Sequence, residues 1–195
     1  MRAIDATSQI GGGMTAAGLA VSAPGAEFEI WRNGIRRRSL EHVADFVDTR
    51  CMPQLERTGV DISGDVLVQF VDGGKCLRST FMYLGWLCGA DPDDAALRAA
   101  SGLELLHAFA LLQDDVMDDS PLRRGRPAAH VQFGQWHLDH GLSGPPERFG
   151  ASLAVLLSDL CLVWAEQMMR ESGVGQDALN RGWPHYDAMR IELAV

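Results

Sequence analysis

The chain has 195 residues, enough for one domain with a substantial core, and its 47% hydrophobic content is ordinary for a globular protein. A formal charge of −9 argues against nonspecific nucleic-acid binding, while leaving room for a phosphate ligand wherever basic residues cluster. Cys51, Cys76, Cys88 and Cys161 show no C-x-x-C spacing, so free thiols in a reducing cytoplasm are expected.

In chain order, residues 1–27 are rich in Gly, Ala and Ser and read as a mobile tail. Gly11 to Gly13 lack the preceding strand that a dinucleotide loop needs. The apolar stretch 16–23 follows Asp5 and precedes a proline, unlike a signal peptide. From there the pattern predicts helices over 28–57, 65–70, 77–88, 93–119, 130–140, 147–171 and from 176 onward. Asp91 before Pro92 reads as an N-cap with proline at the first helical position. Asp159 interrupts the best apolar run, so no bilayer span is expected. No internal repeat or alternating strand pattern is visible, and the predicted class is all-α. Trp31, Trp86, Trp136, Trp164 and Trp183 are spread out and read as core or interface anchors.

Residues 114–127, DDVMDDSPLRRGRP, carry the clearest chemistry. Asp114 and Asp118 stand at i, i+4, a spacing that puts side chains on one helical face. Hard oxygen donors suit Mg²⁺, which takes one or two carboxylates together with substrate phosphates. Arg123 and Arg124 would bring forked donors to the same oxygens. A charge run at a helix end is more often a solvated face. Acids at a helix C-terminus, however, oppose the macrodipole, and neighbouring aspartates repel one another without a cation among them.

A second cluster precedes it. GGKCLR, residues 73–78, sets Lys75 and Arg78 three apart beside two glycines that allow close approach of backbone to a ligand. Alone this would pass for a helix start with surface cations. His107 lies two helical turns before Asp114 on the same face, where a core histidine is the bland alternative. His130, His137 and His140 offer a weaker zinc possibility without a fourth ligand.

These elements resemble the trans-isoprenyl diphosphate synthases, or polyprenyl synthetases. The first aspartate-rich motif of that family, DDxxD followed by RRGxP, matches Asp114, Asp115, Asp118, Arg123, Arg124, Gly125 and Pro127. Its GGKxxR matches Gly73, Gly74, Lys75 and Arg78, its ELLH matches Glu104 to His107, and its GxSxAxLxGDL helix matches Gly150 to Leu160. The resemblance covers about residues 40–195 and implies an isoprenoid-synthase-type helical bundle. It implies that Asp114 and Asp118 ligate Mg²⁺ with Asp115 in support, that Arg123 holds an allylic diphosphate, and that Lys75, Arg78, His107 and Arg124 hold isopentenyl diphosphate. It also implies that Phe109 and Ala110, five and four positions before the first aspartate, set product length, with C20 favoured. A homo-oligomer, a dimer, is expected.

Some positions depart from the family pattern. Cys76 and Ser79 replace Arg and Pro, Gln113 replaces His, and Ser158 replaces a glycine at a close helix approach, where looser packing is expected. The family also uses a second aspartate cluster, and Asp139, Glu147, Asp159, Glu166, Glu171, Asp177, Asp187 and Glu192 form none. The reading is therefore an apparently truncated bundle, residues 28–195, inactive by itself and exposing apolar faces. A class I terpene cyclase is an alternative that Lys75, Arg78 and Arg124 argue against. A noncatalytic subunit of a prenyl synthase is another.

Overall fold

The computed structural model describes residues 24–193. The expected tail lies outside the described residues as far as residue 23, and residues 24–27 form the first turn of a helix. The chain is all-α: α1 (Pro24–Phe46), α2 (Met52–Leu55), α3 (Ser63–Val71), α4 (Leu77–Leu87), α5 (Asp94–Met117), α6 (Ala129–Asp139), α7 (Pro146–Arg170) and α8 (Gln176–Leu193). Among the described residues, one short antiparallel ladder, β1 (Leu122–Arg123) with β2 (Arg126–Pro127), was not anticipated from the sequence. Two residues per strand are too few for an alternating pattern to register.

The first predicted helix is not continuous. α1 passes into a π turn over Val47–Cys51, then α2, then a 3₁₀ turn over Glu56–Thr58 that ends at left-handed Gly59. Pro53 supplies the cause: it has no N–H and its ring crowds the carbonyl four residues back, so the ladder widens just before it. At the start of α5 the cap is Asp93, whose Oδ1 accepts from the Ala95 amide at 2.9 Å. The sequence had suggested Asp91, but its carbonyl instead accepts from Trp86 Nε1 at 2.8 Å.

α5 is the central element, packed by α1, α3, α4 and α7. Its alanines and leucines favour helix, and Leu97, Leu105, Leu106 and Leu112 are buried. Phe133 of α6 and Trp164 and Met168 of α7 complete the main core, and Trp164 Nε1 donates to Gln54 Oε1 at 3.2 Å. Contrary to the sequence expectation, α5 and α7 are each long and apolar enough to cross a membrane by length and composition alone, a test that the buried helix of a globular core also passes. One acid does not outweigh so many apolar neighbours. On α5 that apolarity builds the core, whereas the outward side of α7 leaves Leu156 and Val163 more than half exposed beside an apolar groove of about 420 Å³.

α6 and α7 approach closely at Gly150. A β-carbon there would stand 2.0 Å from the His130 carbonyl oxygen, a rigid backbone atom. Gly150→Ala is therefore expected to force the two helices apart and to destabilise the protein by at least about 1–3 kcal/mol, the usual range for overpacking. Chemical denaturation followed by circular dichroism measures this; an unchanged midpoint would show that the crossing is looser than described.

Candidate functional site

The RRGRP segment forms a two-residue hairpin. Leu122 pairs with Pro127 and Arg123 with Arg126, leaving Arg124 and Gly125 as the turn. Both have positive φ, 53° and 77°, as a type I′ turn requires. Glycine adopts that region freely, whereas arginine does so only under constraint. The constraint comes from outside the hairpin: an Arg124 Nη donates to the Asp72 carbonyl at 3.1 Å, and Gln132 of α6 donates to the Pro127 carbonyl at 2.8 Å. Directly opposed arginines repel each other across a ladder. Arg123, Arg124 and Arg126 nonetheless line one cleft of about 290 Å³ with Asp72, Gly73 and Gln69. Concentrating three cations there is costly unless an anion joins them. Arg126 and the Asp72 carbonyl are parts of this cleft that the sequence reading missed; the two-residue R-G turn that pairs Arg126 with Arg123 was the available signal.

The aspartates lie at the other side of Arg123 and play unequal parts. Asp115 is completely buried, and its Oδ1 accepts from Arg123 Nε at 2.8 Å and from Nη2, while Oδ2 has no partner. Asp114 is half exposed and its Oδ2 accepts from the same Nη2 at 2.7 Å. These two carboxylates, Asp115 first, keep the guanidinium firmly protonated. Asp118 caps α5 and is exposed, and Asp119, at φ 50°, turns fully into solvent. Among the described residues, no three His, Cys, Asp or Glu side chains come together as a metal site. Asp115 faces inward to Arg123, and of the exposed acids Asp114 and Asp118 are the two one helical turn apart. Two carboxylates suit an ion that takes its remaining donors from water and a bound phosphate.

The GGKCLR element is built differently from the expected helical pair. Lys75 precedes α4, and left-handed Cys76 (φ 49°) turns the chain before Arg78 enters the first helical turn. Their i, i+3 spacing is thus not that of a helix face. Both side chains are exposed. Cys76 itself is buried beside Glu104, and burial with that neighbouring charge pushes its thiol up to about 12. Arg36 donates to the Gly74 carbonyl at 2.7 Å, and Ser79 donates to buried Glu104, so the loop is pinned from beneath.

His107 projects from α5 between these cationic elements. Its Nδ1 is buried without a partner. Burial, then the charges of Arg78, Arg124 and Arg123, lower its pKa to about 4. The imidazole is therefore neutral at physiological pH. His130, His137 and His140 do not converge: His137 lies near the Ser143 carbonyl and His140 near that of Trp136. Phe109 and Ala110 are half-buried on α5, with Phe109 packed against the main core.

Two departures from the family pattern meet each other. Gln113 Nε2 donates to Ser158 Oγ at 2.7 Å, and that hydroxyl donates to the Val155 carbonyl at 2.7 Å. Ser158 is fully buried. The contact joins α5 to α7 directly above the acids and replaces the expected loose packing with a hydrogen bond.

A neutral folded His107 has a consequence for stability. Between about pH 6.5 and 4 the unfolded chain binds a proton at this residue and the folded chain does not, so stability falls as pH falls through that window. His107→Gln is expected to flatten this part of the profile of melting temperature against pH. Parallel profiles for the two proteins would place the buried neutral histidine in error.

Comparison with known proteins gives the geometry a context. Residues 61–189 match the family described as polyprenyl synthetase. A nonaprenyl diphosphate synthase of Mycobacterium tuberculosis is 30% identical over 70% of this chain and 35% of its own length. A short chain isoprenyl diphosphate synthase of Methanothermobacter thermautotrophicus is 47% identical over 32% of this chain and 19% of its own. The crystal structure of a geranylgeranyl pyrophosphate synthase from Corynebacterium glutamicum, complexed with isoprenyl diphosphate and magnesium, superposes with a TM-score of 0.70 at 32% identity. That match covers 81% of this chain and 46% of the other. The chain thus matches less than half the length of each of these relatives. Family match, relatives and helical architecture agree, and the chain belongs to the polyprenyl synthetase family.

Proposed function

We propose that the chain acts in a Mg²⁺-dependent prenyl diphosphate synthase that joins isopentenyl diphosphate to an allylic diphosphate, giving a longer isoprenoid diphosphate, with C20 favoured. The observation that carries this reading is the meeting of two opposite charges at one place. The arginine-bearing hairpin lines a cleft walled by Asp72 and Gly73, and its Arg123 is ion-paired to Asp114 at the acid-bearing end of α5. Magnesium, when bound, would neutralise charge on the departing diphosphate.

The chain's own residues have separable tasks in this reading. Asp114 and Asp118 present carboxylate oxygens to the metal, while Asp115 orients Arg123. Arg123 grips the allylic diphosphate. Lys75, Arg78 and Arg124 grip the diphosphate of isopentenyl diphosphate, and neutral His107 adds a hydrogen bond without adding charge. The allylic carbon–oxygen bond breaks, the alkene of the second substrate forms the new carbon–carbon bond, and a proton leaves to the released diphosphate. Cations fixed before the reaction stabilise the developing charge without reorganising. The apolar residues of α5 and α7 would shelter the cation from water.

Elongation in this family uses a second acidic cluster opposite the first, and these 195 residues contain none. The chain by itself is therefore inactive in this proposal, and it works as part of a dimeric assembly in a reducing cytoplasm, in keeping with its four free cysteines.

The test restores turnover by supplying the second cluster and then removes the first. Asp114→Ala and Asp118→Ala should each lower the elongation rate by about 10²–10³, the usual cost of one well-placed electrostatic element. Retention of the parent rate in both would overturn the assignment. In the same active preparation, Phe109→Ala should shift products beyond C20 by chromatography. An unchanged distribution would mean that Phe109 does not form the floor of the product cavity.

A further inference from the structure

Resting on that reading of the site, we propose that Arg123 is a resident counter-cation which a divalent metal must displace from Asp114, so that metal and diphosphate binding are coupled through one guanidinium. The two carboxylates hold Arg123 unequally. Asp115 is completely buried and takes both Nε and Nη2 of Arg123 on a single oxygen. Breaking that contact would leave a buried carboxylate without a counter-charge, which is strongly unfavourable. Asp114 is 54% exposed and takes only Nη2, at 2.7 Å. An exposed ion pair of this kind is weak and exchanges readily. Arg123 is therefore fixed on one side and releasable on the other.

The releasable contact lies where a metal would go. Asp114 Oδ2 cannot serve the guanidinium and a divalent ion at full strength together, because the two cations would stand in close contact. A metal arriving at Asp114 thus competes with Nη2 and leaves Nε on Asp115 in place. Arg123 Nη1 makes no hydrogen bond to the described residues, and the side chain already lines the cleft with Arg124 and Arg126. Releasing Asp114 leaves Nε and Nη2 on the Asp115 anchor and strips the guanidinium of its second counter-charge, so that its uncommitted Nη1 is available to an incoming diphosphate in that cleft. The hairpin backbone need not move, since it stays tied to the Asp72 carbonyl and to Gln132.

Two consequences follow from linkage. Without diphosphate, Arg123 suppresses metal binding, because the metal has to displace it. With diphosphate, the displaced guanidinium gains a new anionic partner, so each ligand raises the affinity for the other by the same factor.

The experiment titrates the purified full chain with Mn²⁺, a spectroscopic stand-in for Mg²⁺, and reads free ion by electron paramagnetic resonance with and without inorganic pyrophosphate. Wild type is expected to bind Mn²⁺ weakly alone and more tightly with pyrophosphate, after correction for the Mn²⁺–pyrophosphate complex. The double variant Asp115→Asn with Arg123→Gln keeps a hydrogen-bonding pair in the buried position without charge. It should bind Mn²⁺ alone about tenfold more tightly than wild type, equivalent to about 1.4 kcal/mol, and should lose most of the gain from pyrophosphate. Arg123→Lys keeps the charge and should stay near wild type without pyrophosphate. If wild type binds Mn²⁺ while the double variant binds it no more tightly, the exchange is overturned and the site reading stands. If neither protein binds Mn²⁺ under any condition, the metal-site reading itself falls, and the exchange falls with it.

Discussion

A carboxylate removed from water needs a cation, and at Asp115 that need organises the whole end of the bundle. Arg123 meets it from outside α5, which obliges the chain to double back after the helix and lay a hairpin against its last turn. With β1 held there, Arg124 and Arg126 are carried to the Asp72–Gly73 loop, and the cleft between them exists as a result. The acidic and basic halves of the site are thus one construction. Neither half has a reason to keep its shape without the other, since the arginines repel across the ladder and the aspartates oppose the dipole of their helix.

The remaining cations are positioned by a separate device. Buried Glu104 receives Ser79, and Arg36 of α1 reaches the Gly74 carbonyl, so the glycine loop is fixed from the protein side while Lys75 and Arg78 stay in solvent. The cost of so much positive charge falls on His107, which is kept neutral by burial and by three guanidinium groups. A neutral ring in that position can donate or accept a hydrogen bond according to its tautomer, a flexibility that an imidazolium lacks.

Much of this was legible in the sequence, for identifiable reasons. Helical periodicity places α5 and α7 to within a residue or two of their observed ends, because that signal is summed over many positions. The spacing of Asp114, Asp118 and the paired arginines marked a candidate site because unlike charges were crowded where each alone would be unfavourable. What was not legible depends on single contacts at a distance. The Asp93 cap was obscured by Pro92 nearby, and the widening of the helix before Pro53 follows from one ring meeting one carbonyl. The Gln113–Ser158 hydrogen bond spans 45 positions, so a mild change at Gln113 and an apparently loosening one at Ser158 are complementary only once α5 and α7 are packed. The unequal fates of Asp114 and Asp115 were likewise hidden, since adjacent helical residues point in different directions and the sequence does not say which direction is inward.

The near-contact of backbones at Gly150 has a mechanical meaning for the site. Helices separated by ordinary side chains can slide past one another by small rotamer adjustments, whereas backbones in contact resist shear. α6 and α7 are in this sense one stiff beam, and Gln132 fastens the hairpin to it. Any displacement of the arginines relative to the aspartates must then be taken up by bending in the few residues between α5 and β1, where Asp119 already departs from helical geometry. The length and stiffness of that four-residue link between Met117 and β1, residues that touch no proposed ligand except through Asp118, would govern how fast the two halves of the cleft can part.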